Sequence, residues 1–436
     1  MTDRAFKQAH SQAQDLLDFI DASPSPWHAV DTAVQRLSKQ GYSALDESQA
    51  WQLKAGLGYY VVRGGASIIA FHLGQKKPNE TGFRLVGAHT DSPGLRLKPK
   101  AAYATDDLIR IGVEVYGGPI LATFTDRDLS VAGRISLRSK NGFDLRLVKL
   151  DQPMLRLPNL AIHMNREVND KGLLLNKQTE LPLIFGQSEA GVDAEQAFLS
   201  QLAQSANAKA ADILSFELNV FDTQKGSFWG ANLAFIANSQ LDNLASCHAA
   251  LSALLATEKP LATTVCALFD HEEVGSESAT GASGSFLSDV LQRISSSQQL
   301  DDDARLQAMA RSFLISADMA HAYHPNHPSA YEPCHHVLVN HGPVIKTNAN
   351  HRYASNAESS ARFMQLCEAA GVPYQQYAHR SDLGCGSTIG PIVAANLGVP
   401  SVDVGSPMWA MHSLRESAGV LDHAYMIAVL SALYRS

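Results

Sequence analysis

Residues 263–276 read TTVCALFDHEEVGS, an apolar run that ends in two adjacent acids, Glu272 and Glu273. The run predicts a buried β-strand with the two glutamates at its carboxyl end. Adjacent side chains that leave a strand point in different directions. One carboxylate can therefore hold a metal ion while the other faces a substrate, as metal-assisted hydrolysis requires. Alone, however, a tandem glutamate is more often a solvated turn.

Four other segments place metal-binding side chains after apolar runs. They are GFRLVGAHTDSPG with His89 and Asp91, AFIANSQLDNLAS with Asp242, RSFLISADMAHAYHP with Asp318 and His321, and VDVGSPMWAMHS with His412. Because ligands collect beyond the carboxyl ends of strands in an open α/β sheet, we expect these side chains to converge. The mixed imidazole and carboxylate set suits zinc, manganese or cobalt, and a shared carboxylate would give a two-metal site.

Each candidate also has an ordinary structural explanation. His89 can be a core histidine, Asp242 can cap the helical pattern LASCHAALSALLA, Asp318 can pair with a nearby histidine, and His412 can lie on the surface. Asp91 can start the turn in TDSPG. On extended backbone, however, Asp91 shares a face with His89 and can hold its ring in the metal-binding tautomer. The joint pattern favours a metal centre over these separate explanations.

The chain resembles the M18 family of metallopeptidases, the aspartyl aminopeptidase type, across essentially its whole length. Eight segments in one order carry the resemblance: GAHTDSPGLRLKP (87–99), LPNLAIHMNREVN (157–169), SQLDNLAS (239–246), FDHEEVGS (269–276), DMAHAYHPN (318–326), GPVIKTNANHRYAS (342–355), GCGSTIGP (384–391) and GSPMWAMHSLRE (405–416). An ordered set of this kind is far more specific than one short motif.

The resemblance implies a centre of two divalent metal ions, with Zn²⁺ expected and Mn²⁺ or Co²⁺ as alternatives. It implies that Asp242 bridges the ions, that His89 and Asp318 bind one, and that Glu273 and His412 bind the other. Glu272 would be the general base and Asp91 a supporting acid. The implied substrate-site residues are His163, His321, Lys346 and Tyr353. The implied reaction is removal of amino-terminal residues from peptides, with Asp and Glu as the expected residues because a lysine can hold a carboxylate.

The domain organisation follows from where the candidate ligands fall. The stretch between His89 and Asp242 contains β-like runs, including DLIRIGVEVYG, LSVAGRISLRS and FDLRLVKL, and none of the five ligands. We therefore predict an α/β fold: a mixed-sheet zinc-peptidase catalytic domain made of residues 1–94 and 236–436, split by an inserted β-rich domain at 95–235. The family resemblance implies that the insert serves assembly, with dimers that form a dodecamer and with His163 completing a neighbour's active site.

The composition of the chain limits which binding partners and which cellular compartment are expected. The chain has 436 residues, a net charge of −8 and no apolar run long enough to span a membrane, so neither nucleic acid nor membrane is an expected partner. Its cysteines are five in number and lack CxxC spacing, which argues against disulfides and a cysteine zinc site. The amino terminus has a helical face of Phe6, Ala9, Ala13, Leu16, Leu17 and Ile20, and no secretory signal is visible. We expect a cytoplasmic enzyme.

Other functions stay open at this point. A serine or cysteine hydrolase is the rival enzyme class, because Cys385 in GCGS and the many histidines could supply a nucleophile and a base. A small buried cysteine in a glycine-rich turn is the simpler interpretation of Cys385. A silent binding or scaffold protein would be expected to lack a ligand or the base, yet all are present. The same metal chemistry could serve an aminopeptidase with a neutral preference, a carboxypeptidase or a deacylase. Lys346 could also be an ordinary solvated lysine.

Overall fold

The computed structural model describes residues 3–188 and 191–436. Its helices are α1 (Asp3–Asp21), α2 (Pro26–Lys39), α3 (Pro78–Thr81), α4 (Val168–Lys171), α5 (Ala194–Ser205), α6 (Leu241–Leu255), α7 (Phe286–Ser297), α8 (Asp302–Ala310), α9 (Ala357–Ala370), α10 (Ile389–Leu397) and α11 (Val420–Arg435).

The strands form three separate sheets. Their bounds are β1 (Ser43–Ala44), β2 (Gly58–Arg63), β3 (Ser67–His72), β4 (Phe83–His89), β5 (Gly94–Thr105), β6 (Leu108–Tyr116), β7 (Leu129–Ser139), β8 (Gly142–Lys149), β9 (Leu183–Gln187), β10 (Ile213–Asp222), β11 (Ser227–Trp229), β12 (Phe235–Asn238), β13 (Thr263–Phe269), β14 (Phe313–Ala317), β15 (Ala320–His321), β16 (Val344–Thr347), β17 (Gln375–Ala378), β18 (Ser401–Gly405), β19 (Pro407–Trp409) and β20 (Glu416–Gly419).

The largest sheet has nine strands in the order β1-β2-β3-β13-β4-β14-β18-β16-β17. Its centre is parallel, because β4 pairs in parallel with both β13 and β14, and β14 with β18. The flanking pairs β3–β13 and β16–β18 are antiparallel. The carboxyl ends of β13, β4 and β14 therefore meet at one edge of the sheet, and this is the edge where the candidate ligands lie.

Helices cover both faces of this sheet, as expected for a sheet with a parallel centre. Alternation along β13 shows the layering: Cys266 and Leu268 pack in a core with α1, α2, α6, α9 and α11, whereas Val265 and Phe269 pack on the other face with α7, α8 and α10. This arrangement confirms the α/β class expected from the sequence.

The second sheet is antiparallel and has its own core. Its six strands run in the order β8-β7-β10-β5-β6-β9, and α5 packs on it through the fully buried Phe198 and Leu202. The strands span Gly94 to Asp222, between β4 and α6 in the chain. The division of the chain into domains at 95–235 stays a prediction.

The remaining elements place the last candidate ligands. A five-stranded sheet, β11-β12-β20-β19-β15, lies where β12 leads into α6 and β19 leads towards His412. The amino-terminal helix α1 packs as the sequence pattern predicts, except that Phe6 is 38% exposed; its ring lies 4.5 Å from that of His10, at a tilt of 54°. No helix in the described part of the chain is long and apolar enough to cross a membrane.

Candidate metal centre

Five candidate ligands converge beyond the carboxyl edge of the nine-stranded sheet. His89 ends β4, Asp318 follows β14, Glu273 follows β13, Asp242 lies at the start of α6, and His412 follows β19. They line one cavity of about 430 Å³ together with Glu272, His321, Lys346 and Tyr353. The parallel pairing of β13, β4 and β14 brings His89, Glu273 and Asp318 together, because neighbouring parallel strands end at the same edge. Asp242 and His412 reach the cavity from segments that follow β12 and β19 of the five-stranded sheet.

Asp242 lies between the two histidines. Its Oδ1 is 3.4 Å from His89 Nε2, and its Oδ2 is 3.4 Å from His412 Nε2. The second carboxylate beside His89 is Asp318, at 3.4 Å, and the second beside His412 is Glu273, also at 3.4 Å. The five side chains thus form two groups of nitrogen and oxygen donors that share one carboxylate.

These spacings fit metal ligation. Ligands at about 2.0–2.2 Å from a tetrahedral zinc ion lie about 3.3–3.6 Å from one another. Asp242 is 3% exposed, and its Oδ1 has no hydrogen-bond partner among the described residues. A buried carboxylate oxygen without a partner is costly, and a cation removes that cost. Asp242 also makes no side-chain cap on α6, so the capping explanation is wrong.

Backbone carbonyls fix the tautomers of both histidines. His89 Nδ1 is 3.0 Å from the carbonyl oxygen of Asp91, and His412 Nδ1 is 3.0 Å from that of Gly118. A carbonyl can only accept, so in each ring Nδ1 carries a hydrogen, and in the neutral ring Nε2 keeps a lone pair that can bind a metal ion. This is the tautomer that ligates metal through Nε2.

Asp91 supports the centre differently from the prediction. Its carboxylate is 3.4 Å from His89 Nδ1, farther than its own carbonyl oxygen, which is the closer acceptor. The carboxylate instead accepts from the backbone N–H groups of Glu272 and Glu273, at 3.1 Å each. Asp91 is fully buried, so these bonds orient the glutamate turn against β4. Burial raises the pKa of Asp91, but His89 first, and then the Tyr116 hydroxyl and the Glu273 N–H group, outweigh burial and lower the pKa below its usual value.

The centre holds a surplus of buried negative charge. The pKa of Glu272 is raised to about 8, first by burial and then by the carboxylates of Asp318 and Asp242, with His89 opposing the shift. Burial and Asp242 likewise raise the pKa of Glu273. The pKa of His412 is raised to about 10 because Asp242 and Glu273 outweigh burial. Crowded carboxylates that favour cationic neighbours form a suitable site for divalent cations.

The predicted substrate-site residues fall into two groups. His321, Lys346 and Tyr353 line the cavity, and burial lowers the pKa of His321 to about 4, so this ring is neutral at neutral pH. His163 is exposed on the loop before α4 and is not among the described residues that line the cavity. The structure therefore does not bring His163 to the metal centre of its own subunit.

Lys346 is not the solvated surface lysine that its residue type suggests. It is 2% exposed, and its Nζ donates to the carbonyl oxygens of Asp318 and Met319, at 3.1 Å each. A longer contact of 3.4 Å joins it to Asp318 Oδ2. Its ammonium lies 5.1 Å from the ring centroid of Tyr353. Lys346 is thus a fixed, buried cation on the wall of the cavity.

Two supporting residues had no clear sequence signal. Glu416, 1% exposed, accepts from the backbone N–H groups of His412 at 2.7 Å and Asp242 at 3.1 Å, so it links two ligand segments. Tyr116 donates its hydroxyl to Asp91 Oδ2 at 2.7 Å. An acid four residues after His412 was the only hint of Glu416. Tyr116 could not be found because its partner is distant in the sequence.

Comparison with known proteins identifies the family. The model of the family described as Aminopeptidase I zinc metalloprotease (M18) matches residues 19–434. The chain belongs to the M18 aminopeptidase family. It is therefore a metal-dependent peptide hydrolase of that family.

Relatives in sequence and in structure match nearly the whole length of this chain. The chain is 47% identical over 425 residues to a probable M18 family aminopeptidase 2 of Pseudomonas paraeruginosa, covering 97% of this chain and 98% of the relative. A cryo-EM structure of a complex of Ape4 and Nbr1 superposes with a TM-score of 0.94 at 38% identity, covering 98% of this chain and 86% of the other. The structure of the Saccharomyces mApe1 dodecamer superposes with a TM-score of 0.85 at 27% identity, covering 97% of this chain and 96% of the other.

Proposed function

We propose that this M18 protein removes amino-terminal residues from peptides with two divalent metal ions at the described centre. One observation carries the proposal: the buried carboxylate of Asp242 faces His89 with one oxygen and His412 with the other, at 3.4 Å each. A single ion would leave one of these donor pairs unused. A carboxylate with a separate histidine and acid on each side is the arrangement expected for a bridging ligand.

We propose an assignment of the donor residues to the two ions. His89 and Asp318 would hold one ion, Glu273 and His412 the other, and Asp242 both; zinc suits this set, with manganese or cobalt as alternatives. Such ions, when bound, make a water molecule more acidic and stabilise the negative charge that develops on the carbonyl oxygen.

Glu272 is the proposed general base. Its Oε2 lies 3.9 Å from His89 Nε2, whereas the candidate ligands lie 3.4 Å from their histidines. It lines the cavity and is the more exposed of the two adjacent glutamates. A carboxylate in this position can take a proton from the attacking water and return it to the leaving amine.

Lys346 supports a preference for acidic amino-terminal residues. It is the only lysine or arginine among the described residues that line the cavity. Two of its N–H groups donate to backbone carbonyls, so the 3.4 Å contact with Asp318 Oδ2 is the exchangeable one. We propose that a substrate carboxylate takes this position, with His321 and Tyr353 as the neighbouring walls. A neutral preference, or carboxypeptidase or deacylase activity, is the alternative that a substrate panel would reveal.

Assembly is proposed to complete the site. The segment on either side of α4, which bears His163, exposes large apolar side chains, including Leu160 at 61%, Met164 at 74% and Leu174 at 85%. Such exposed apolar side chains on one segment suit burial against another subunit. The related mApe1 forms a dodecamer. We propose dimers that build a similar homo-oligomer, with His163 hydrogen-bonding the substrate of a neighbour.

A cytoplasmic location is proposed from the cysteines. The five free cysteines suit the cytoplasm, where thiols stay reduced.

Metal removal and replacement test the proposed function. Dialysis of the purified protein against a chelator should abolish hydrolysis of aminoacyl arylamides, and zinc, manganese or cobalt should restore it. Metal analysis should approach two ions per chain at full activity. Full activity after verified metal removal would refute a metal mechanism, and restoration that is complete at one ion per chain would refute the two-metal assignment.

A further inference from the structure

The turn that follows β6 of the six-stranded sheet reaches the metal centre. Tyr116 ends β6, and Gly117 and Gly118 follow it. The Tyr116 hydroxyl donates to Asp91 Oδ2 at 2.7 Å, and the Gly118 carbonyl accepts from His412 Nδ1 at 3.0 Å. One short turn therefore contacts the supporting acid beside His89 and the second histidine itself.

The hydrogen bond from Tyr116 restrains the Asp91 carboxylate, which already accepts two other hydrogen bonds. Asp91 Oδ1 accepts from Glu272 N and Oδ2 from Glu273 N, while its carbonyl oxygen accepts from His89 Nδ1. Tyr116 is 8% exposed and Asp91 is fully buried, so water cannot easily replace the hydroxyl. Without this bond the Asp91 carboxylate could rotate more freely. The turn of Glu272 and Glu273, which donates to this carboxylate, would then be held less firmly.

The surroundings hold Tyr116 and the turn in place. The Arg96 guanidinium, from β5, lies 3.6 Å from the centroid of the Tyr116 ring. Gly117 has φ of +65°, and a Cβ there would lie 3.2 Å from the Cβ of Glu273. Only glycine adopts this conformation without strain while allowing so close an approach. The turn is thus shaped to pack against Glu273.

We propose that Tyr116 is a positioning residue for the metal centre, acting through Asp91, so that the six-stranded sheet supports metal retention within its own subunit. This inference rests on the proposed metal function. It assigns the sheet a role that is separate from assembly. Outer hydrogen-bond partners of metal ligands typically change metal affinity or activity by about 10–100-fold when removed.

Tyr116→Phe tests the inference, because it removes one hydroxyl and keeps the ring that stacks on Arg96. Tyr103→Phe is the matched control: Tyr103 lies on β5 of the same sheet, is 40% exposed and also carries an arginine over its ring. We expect Tyr116→Phe to release metal to a competing chelator about 10–100 times more readily than wild type. The absorption bands of its cobalt-substituted form should shift, and kcat should fall more than KM rises. Tyr103→Phe should match wild type.

A double-mutant cycle separates positioning from general destabilisation. If Tyr116 acts through Asp91, the effects of Tyr116→Phe and Asp91→Asn on metal release should be non-additive. Measurements use the correctly assembled fraction from gel filtration, so a lower yield of folded protein does not affect them. Additive effects, or a wild-type cobalt spectrum and metal release in Tyr116→Phe, would overturn the inference alone. A wild-type protein that binds no metal would instead refute the proposed function.

Discussion

Replacement of Glu272 by glutamine distinguishes the role of general base from that of metal ligand. Glutamine has nearly the same size but cannot take a proton at neutral pH. Glu272 Oε2 is 3.9 Å from the nearest histidine nitrogen, farther than the 3.4 Å of each proposed ligand. Glu272→Gln should therefore keep the fold and the bound metal while it loses the proton transfer.

The expected loss follows from the usual contribution of general acid–base catalysis. Removal of a positioned base lowers the rate by about 10²–10⁴-fold, which is about 2.7–5.5 kcal/mol in activation free energy. The decrease should appear in kcat measured with aminoacyl arylamides, with metal content followed on the same samples. KM should change little, because Glu272 is not proposed to hold the substrate in the ground state.

Two variants on the same turn serve as controls. Glu273→Gln should lose metal first, because Glu273 Oε1 lies 3.4 Å from His412 Nε2 and its side chain is 6% exposed. Glu277→Gln, at an exposed position three residues after Val274, should leave kcat and metal content unchanged. If Glu272→Gln lost metal and Glu273→Gln kept it, the roles within the pair would be reversed. If Glu272→Gln kept wild-type kcat, Glu272 would not be the base.

Three further outcomes are expected. Lys346→Ala should lower kcat/KM for Asp and Glu arylamides far more than for Leu or Ala arylamides, and a wild-type preference for neutral residues would refute the acidic pocket. Mixing His163→Ala with Glu272→Gln subunits after dissociation and reassembly should recover activity if the histidine acts in trans, whereas a fully active monomer would exclude that role. Phe198→Ala should destabilise the core of the six-stranded sheet by about 3–5 kcal/mol in urea unfolding, since Phe198 is fully buried, and a loss below about 1 kcal/mol would contradict that packing.

Local patterns were enough to place many elements. The run at 263–270 corresponds to β13 (Thr263–Phe269), and the runs at 107–117, 129–139 and 143–150 correspond to β6, β7 and β8. Each combines apolar or β-branched residues with turn residues at its ends, and both signals are local in the sequence. The convergence of His89, Glu273 and Asp318 could also be predicted, since it requires only that their strands be parallel neighbours. The approach of Asp242 and His412 depends on a second sheet whose position the local pattern does not give.

Contacts between distant segments could not be predicted in this way. Nothing near Tyr116 indicates that its hydroxyl meets Asp91, and nothing near Lys346 indicates that it is buried against the backbone of Asp318. The Asp91 carboxylate was expected to hold His89, but the backbone carbonyl of the same residue is closer. Such details depend on side-chain direction after the chain has folded, and periodicity does not encode that direction.

Each residue of the centre has an ordinary structural explanation when it is considered alone, but the clustering of so many buried carboxylates does not, because it lowers the stability of the fold. A buried carboxylate costs several kcal/mol unless it is paired. Here Asp91, Asp242, Glu272, Glu273 and Asp318 surround two histidines, and burial and mutual repulsion raise the pKa values of both glutamates. A core histidine or a helix cap needs no such crowding. The fold is less stable because it keeps these carboxyl groups buried in one cavity. A function that requires divalent cations explains why they are retained.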